Sequence, residues 1–397
     1  MTLAIINIGT LLSGEIDRPV IDGVDTVVCT DGVISHIGTA DDLRAEVASA
    51  ATVLDAQGTV VAPGLIDSHC HVVLGDYTPR QKTVDFLESY VHGGITGVVS
   101  PSEVHAPGRP HDRLAVKALA IAARACFQHF RPAGMKVHAG CVILEPDLVE
   151  EDFRDLQAAG VRLAKFGFGA YADPIEGEPQ VRWAKQYGMV VMSHCGGASI
   201  PGSKPILARE LLHLRPHVLG HVNGGPTALP DDDVDRLIHE SDMALQIVQA
   251  GNLRATLRIV RLAVETGNLR RLVIGSDTPT GTGVMPLAVL KTIAEVASLA
   301  NLPPATAWAC ATGNNARVYR LDHGMVRPGA PADLVVLDTP WGSQGRDALD
   351  ALAIGDIPGI SAVVIDGEIR VLRSRNTPPA VRPAQVVRHA ASVTGGQ

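Results

Sequence analysis

The centre of this chain repeats one pattern: a short apolar, β-prone run, one or two residues capable of chemistry, then a longer stretch with helical spacing. The runs occupy residues 64–73, 94–100, 135–144, 161–168, 189–194, 218–222, 244–249 and 272–277. Stretches such as HDRLAVKALAIAARACFQHF and PLAVLKTIAEVASLA lie between or after them. Parallel strands need long crossover connections, usually helices, so alternation of this kind is the sequence sign of repeated βα units. With eight runs, a closed (β/α)8 TIM barrel of the α/β class is the economical topology.

Both ends have a different texture. LAIINIG, DTVVCTDGVISHIG and ATVLDAQGTVVAPG near the start, and ADLVVLD and GISAVVIDGEIRVLRS near the end, are short β-prone runs. Asp31-Gly32 and Asp366-Gly367 read as hairpin turns. Residues 1–61 and 324–380 are therefore expected to pair into one small β-sandwich domain, with the barrel over 62–323 and a tail over 381–397.

Composition narrows the function. The formal net charge is −8 and no run of Lys or Arg could track phosphates, which argues against nucleic acid as a partner. An anionic ligand would need a locally placed cation. The six cysteines are scattered without a C-x-x-C, so neither a disulfide framework nor a structural zinc site is expected. The opening MTLAIINIGTLLSGEIDRP lacks the basic region of a signal peptide. No apolar segment approaches the roughly 18 residues that would span a membrane. No membrane association and a cytoplasmic location are the expectations.

The ends of the runs carry the chemistry. In GLIDSHCHV, alternation along a strand projects His69 and His71 to one side and Cys70 to the other, a geometry that suits two imidazoles on one metal. Later runs reach Lys165 in VRLAKFGFG, His194 in MVVMSHCGG, His221 in HVLGHVNGG and Asp277 in RLVIGSDTP. Active sites of β/α barrels lie at the C-terminal strand ends, where all six would converge. Cys70 and Cys195, by the same alternation, point into the layer between barrel and helices.

PGLIDSHCHV and the later strand ends resemble the amidohydrolase superfamily, over essentially the whole chain, and the count of eight runs is guided in part by this resemblance. Within it, GDYTPRQKT, RPAGMKVHAGCVILE, HVNGGPTA, GDIPGIS and SRNTPP are similar to the enamidases, which open a cyclic amide in anaerobic nicotinate breakdown. The resemblance implies a metal-bearing (β/α)8 barrel with two divalent metal ions. His69, His71 and Asp277 would hold the first, His194 and His221 the second, and Lys165, carboxylated by CO2 to a carbamate, would bridge them. Some members of the superfamily bridge with glutamate; Glu145 is the less favoured candidate for that role.

The same resemblance implies attack of a metal-bridging hydroxide on the amide carbonyl, with Asp277 as catalytic proton shuttle. The substrate would be a small cyclic amide, foremost 6-oxo-1,4,5,6-tetrahydronicotinate, giving 2-formylglutarate and ammonia; another lactam, a cyclic imide or ring deamination are the alternatives. Zinc suits the ligand set, and iron or manganese tolerate it. Arg80, Lys82 and His138 are the substrate-binding candidates, Arg80 because its planar fork matches a carboxylate. A homo-oligomer, by resemblance a tetramer, is expected.

Overall fold

The computed structural model describes residues 2–73, 83–103, 109–199, 202–279 and 285–389. The eight runs form a barrel of parallel strands. Leu65–Asp67 pairs with Ile95–Val99, which pairs with Lys136–His138. Cys141–Ile143, Leu163–Phe166, Val190–His194, Val218–Gly220, Ala244–Val248 and Leu272–Gly275 follow in sequence order. The first and eighth strands close the ring past their regular ends, where Asp277 N donates to His69 O (2.8 Å) and His71 N to Thr278 O (2.8 Å).

Helices Thr83–Val91, Arg113–His129, Glu150–Ala158, Glu178–Gln186, Ala208–Leu214, Asp231–Glu240, Leu253–Glu265 and Ala288–Leu299 follow the eight strands in turn. Side chains on opposite faces of the strands separate into two cores. Ile66, Val99, Cys141, Leu163, Val190, Met192, Val218, Ala244 and Val273 fill the barrel, joined by Ala316 and Tyr319 from helix Gly313–Tyr319. The other face packs on the helices and takes in Cys70 and Cys195.

The third strand differs from the single run read at 135–144. Its ladder breaks at Gly140, a left-handed residue, and the two halves belong to separate sheets. The Glu103 carboxylate accepts the amides of Gly140 (2.6 Å) and Cys141, which the break would otherwise leave unpaired.

The chain ends build a nine-stranded sheet with its own apolar core, continuous in hydrogen bonding. Thr2–Leu12 lies parallel to Thr52–Pro63, and Leu334–Asp338, Gly359–Ile365 and Glu368–Leu372 extend the sheet. Both expected hairpin turns have positive φ at Asp and Gly (Asp31 49°, Gly32 84°; Asp366 50°, Gly367 73°), as a two-residue turn matching the strand twist requires. Part of the segment expected as a tail is a strand: Gln385–His389 pairs with Thr52–Asp55. Its backbone completes an edge that the exposed side chains of residues 385–388 do not advertise.

Candidate metal centre

Inward-facing positions at the barrel mouth bring the six residues read from the sequence into one buried region. Lys165 pairs in register with Met192, so both side chains face the barrel interior, and His194 is the next inward position on its strand. His69 and His71 lie just beyond the first strand, where the bridge between Cys70 and Thr278 keeps the chain extended. His221 and Asp277 hold left-handed backbones (φ 40° and 57°) that turn their side chains back over the opening. Such conformations cost about 1–3 kcal/mol each in a non-glycine residue and cluster at functional sites.

The distances are short. His69 Nε2 and His71 Nε2 each lie 3.2 Å from Asp277 Oδ1, and His194 Nδ1 lies 3.2 Å from His221 Nε2. Ligand atoms from His69, His221 and Asp277 fall within 4.8 Å of one another. Lys165 is 1% exposed, and its Nζ contacts Met192 Sδ at 3.3 Å.

Burial decides the charge states. It pushes His69 down to about 3 and His194 to about 4, and takes His221 well below the usual imidazole range, leaving neutral rings with lone pairs to donate. It also lowers the Lys165 ammonium. Burial raises the Asp277 carboxyl, and a proton on His69, His71 or His221 would lower it.

The ring tautomers are set from outside. Gln246 donates from Nε2 to Ser68 O (3.1 Å), which orients its Oε1 to accept from His69 Nδ1 (2.7 Å) and from the His221 amide (3.3 Å). The His69 Nε2 lone pair is thereby turned to the cluster. His194 Nε2 donates to Gly197 O (2.8 Å) and turns its Nδ1 inward. His221 Nδ1 is buried without a hydrogen-bond partner among the described residues. Neutral imidazoles of fixed tautomer, one carboxylate and an orphaned ring nitrogen fit a divalent cation.

Other expectations land elsewhere. Arg80 and Lys82 lie outside the described residues. His138 stacks on His323 (centroids 5.2 Å, Nε2 to Nε2 2.9 Å), and the charges acting on it are Asp322, Lys136, Arg124 and Arg131, none of them from the histidine cluster. The structure does not bring it to the six. Glu145 turns to His111 (2.9 Å) and the Ala170 amide (2.8 Å), away from a bridging position. Sequence reasoning missed Gln246, although a lone amide inside the apolar run ALQIV was a signal. It also missed Asp67, whose Oδ1 accepts the amides of His69 (3.0 Å) and Ser276 (2.8 Å) and so ties the first strand end to the eighth.

A closed (β/α)8 barrel with imidazoles and a carboxylate gathered at its mouth defines a metal-dependent hydrolase class. The chain belongs to the amidohydrolase family, which it matches over residues 60–370. It is 47% identical over 382 residues to an enamidase of Eubacterium barkeri, covering 96% of this chain and 98% of that one. The crystal structure of an enamidase, described as a member of the amidohydrolase superfamily, superposes with a TM-score of 0.93 at 46% identity, over 98% of this chain and 100% of that one. An imidazolonepropionase of Streptomyces griseus is 25% identical over 331 residues, 72% of this chain and 80% of that one.

Proposed function

We propose that this protein hydrolyses a cyclic enamide, 6-oxo-1,4,5,6-tetrahydronicotinate, to 2-formylglutarate and ammonia. The observation that carries the reading is the near full-length 47% identity to an enamidase. The buried convergence of His69, His71, Lys165, His194, His221 and Asp277 supports it. His69, His71 and Asp277 would hold one divalent ion, and His194 and His221 a second; zinc, iron or manganese suit these donors. Lys165 would serve the ions as a carbamate ligand, and the burial that lowers its ammonium favours the neutral amine that reacts with CO2.

When bound, the ions lower the pKa of a water and polarise the lactam carbonyl. Asp277 accepts the proton of the attacking water and delivers it to the ring nitrogen as the C–N bond breaks. The enamine released tautomerises to an imine, and a second water converts that to the aldehyde and ammonia. The barrel walls hold the lactam carbonyl at the histidine cluster while Gln246 and the Gly197 carbonyl keep the imidazoles in register.

The test is ammonia release from this lactam by metal-loaded protein, with Lys165→Ala and Asp277→Asn alongside. The reading predicts release by the wild type that falls steeply in both variants. No release by protein carrying two ions would overturn the substrate.

A further inference from the structure

A second cluster stands beside the histidines, on the loops after the second, third and fourth strands. Arg109 is 8% exposed, and the buried Glu145 carboxyl faces its charge. One terminal nitrogen, Nη2, donates to the Phe168 carbonyl and lies 3.6 Å from Glu145 Oε1, beyond hydrogen-bonding range. The Glu145 oxygens are engaged by His111 and the Ala170 amide. The other terminal nitrogen, Nη1, is buried and has no hydrogen-bond partner among the described residues. Leaving a buried donor unmade costs about 1–3 kcal/mol, and more when the group is charged. This donor is therefore open to an acceptor arriving from elsewhere.

Phe168 places that nitrogen relative to the reaction. Its ring centroid lies 5.9 Å from Arg109 Cζ, 5.7 Å from Lys165 Nζ and 5.3 Å from the His194 ring centroid. The guanidinium and the candidate metal centre therefore flank one aromatic ring. Arg109 and Lys165 both stand over that ring, so a positive donor lies one aromatic ring away from the histidine cluster. In a protein of net charge −8, an anionic substrate needs such a local cation.

We propose that Arg109 binds the carboxylate of a ring substrate through Nη1, against Phe168, while the lactam carbonyl faces the histidine cluster. This rests on the lactam hydrolysis proposed above and names the group that selects a carboxylated ring over a neutral one. The Phe168 carbonyl, which accepts from Nη2, holds the guanidinium in place, and Glu145 faces it without a hydrogen bond.

Binding separates this proposal from turnover. The dissociation constants of 6-oxopiperidine-3-carboxylate and of 2-piperidone, which lacks the carboxylate, are measured by calorimetry on metal-loaded wild type, Arg109→Gln and Arg109→Lys. Ammonia release from the corresponding unsaturated lactams is followed in parallel. The expected result is a preference for the carboxylated ligand in the wild type that falls about 10- to 100-fold in Arg109→Gln, the range of a charged hydrogen bond. Arg109→Lys, which keeps the charge without the fork, falls in between.

A loss shared equally by both ligands leaves the preference at its wild-type value and overturns the proposal, because the role is then structural. A wild type that shows no preference overturns it as well. Binding that discriminates for the carboxylate without ammonia release overturns the hydrolytic reading and leaves the role of Arg109 standing.

Discussion

At the scale of single residues, the centre depends on side chains that never touch a substrate. Gln246 lies at the crossing of four partners: His69, the His221 amide, Ser68 and Tyr319. Outer partners that fix a ligand tautomer are typically worth 10- to 100-fold in metal affinity. Gln246→Leu is expected to lower affinity by about that factor in a chelator competition titration; unaltered affinity would show that His69 is oriented by packing alone. Asp277 poses a different question, since its left-handed backbone and its carboxylate serve separate ends. Asn tolerates that backbone region as well as Asp does. Asp277→Asn should thus retain the wild-type melting temperature in metal-free protein while ammonia release falls by about 10³-fold, within the range lost with a proton-transfer group. Equal losses of stability and rate would argue that Asp277 acts through the fold.

The broken third strand carries its own prediction at the scale of elements. Glu103 is fully buried, and burial pushes its carboxyl up to about 8 although two amides oppose the shift. A carboxyl raised in the folded state binds its proton more tightly there than in the unfolded chain. Its contribution is complete below the unfolded value, near 4.5, and is lost as pH rises through about 8. Glu103→Gln, which keeps an acceptor for the two amides, should flatten the fall in melting temperature between pH 5 and pH 8.5. An unchanged profile would place the titration elsewhere. This element also marks where the sequence stops being legible. Apolar runs announce which segments lie in the barrel, because burial on both faces demands them. They say nothing of a carboxylate arriving from the preceding loop to cap a gap in the ladder. The six candidate ligands were readable because strand ends of a barrel face one opening; Arg109 was not, because its place depends on a loop whose path no periodicity encodes.

Across the whole molecule, the barrel and the terminal sheet meet at a charged junction. Lys136, at the start of the third strand, donates to both oxygens of Asp333 (2.7 and 2.6 Å) and to Asp366 (2.7 Å), which Arg131 also grips (2.6 Å). Asp333 is fully buried at its side chain, so removing its cation leaves an uncompensated charge. Lys136→Met is expected to cost about 3–5 kcal/mol in denaturant unfolding, and Lys136→Met with Asp333→Leu to recover much of it. A single variant as stable as the wild type would show the two units docking through apolar contact alone. The pairing of both chain ends into one unit was visible in their shared β texture. The strand Gln385–His389 was not, since edge strands with exposed side chains lack an inward pattern. The most direct measurement is anomalous diffraction from crystals of metal-loaded protein grown with bicarbonate. The account predicts two peaks, one bounded by His69, His71 and Asp277 and the other by His194 and His221, with branched density continuing from Lys165 Nζ between them. A single peak beside an unbranched Lys165 would contradict it.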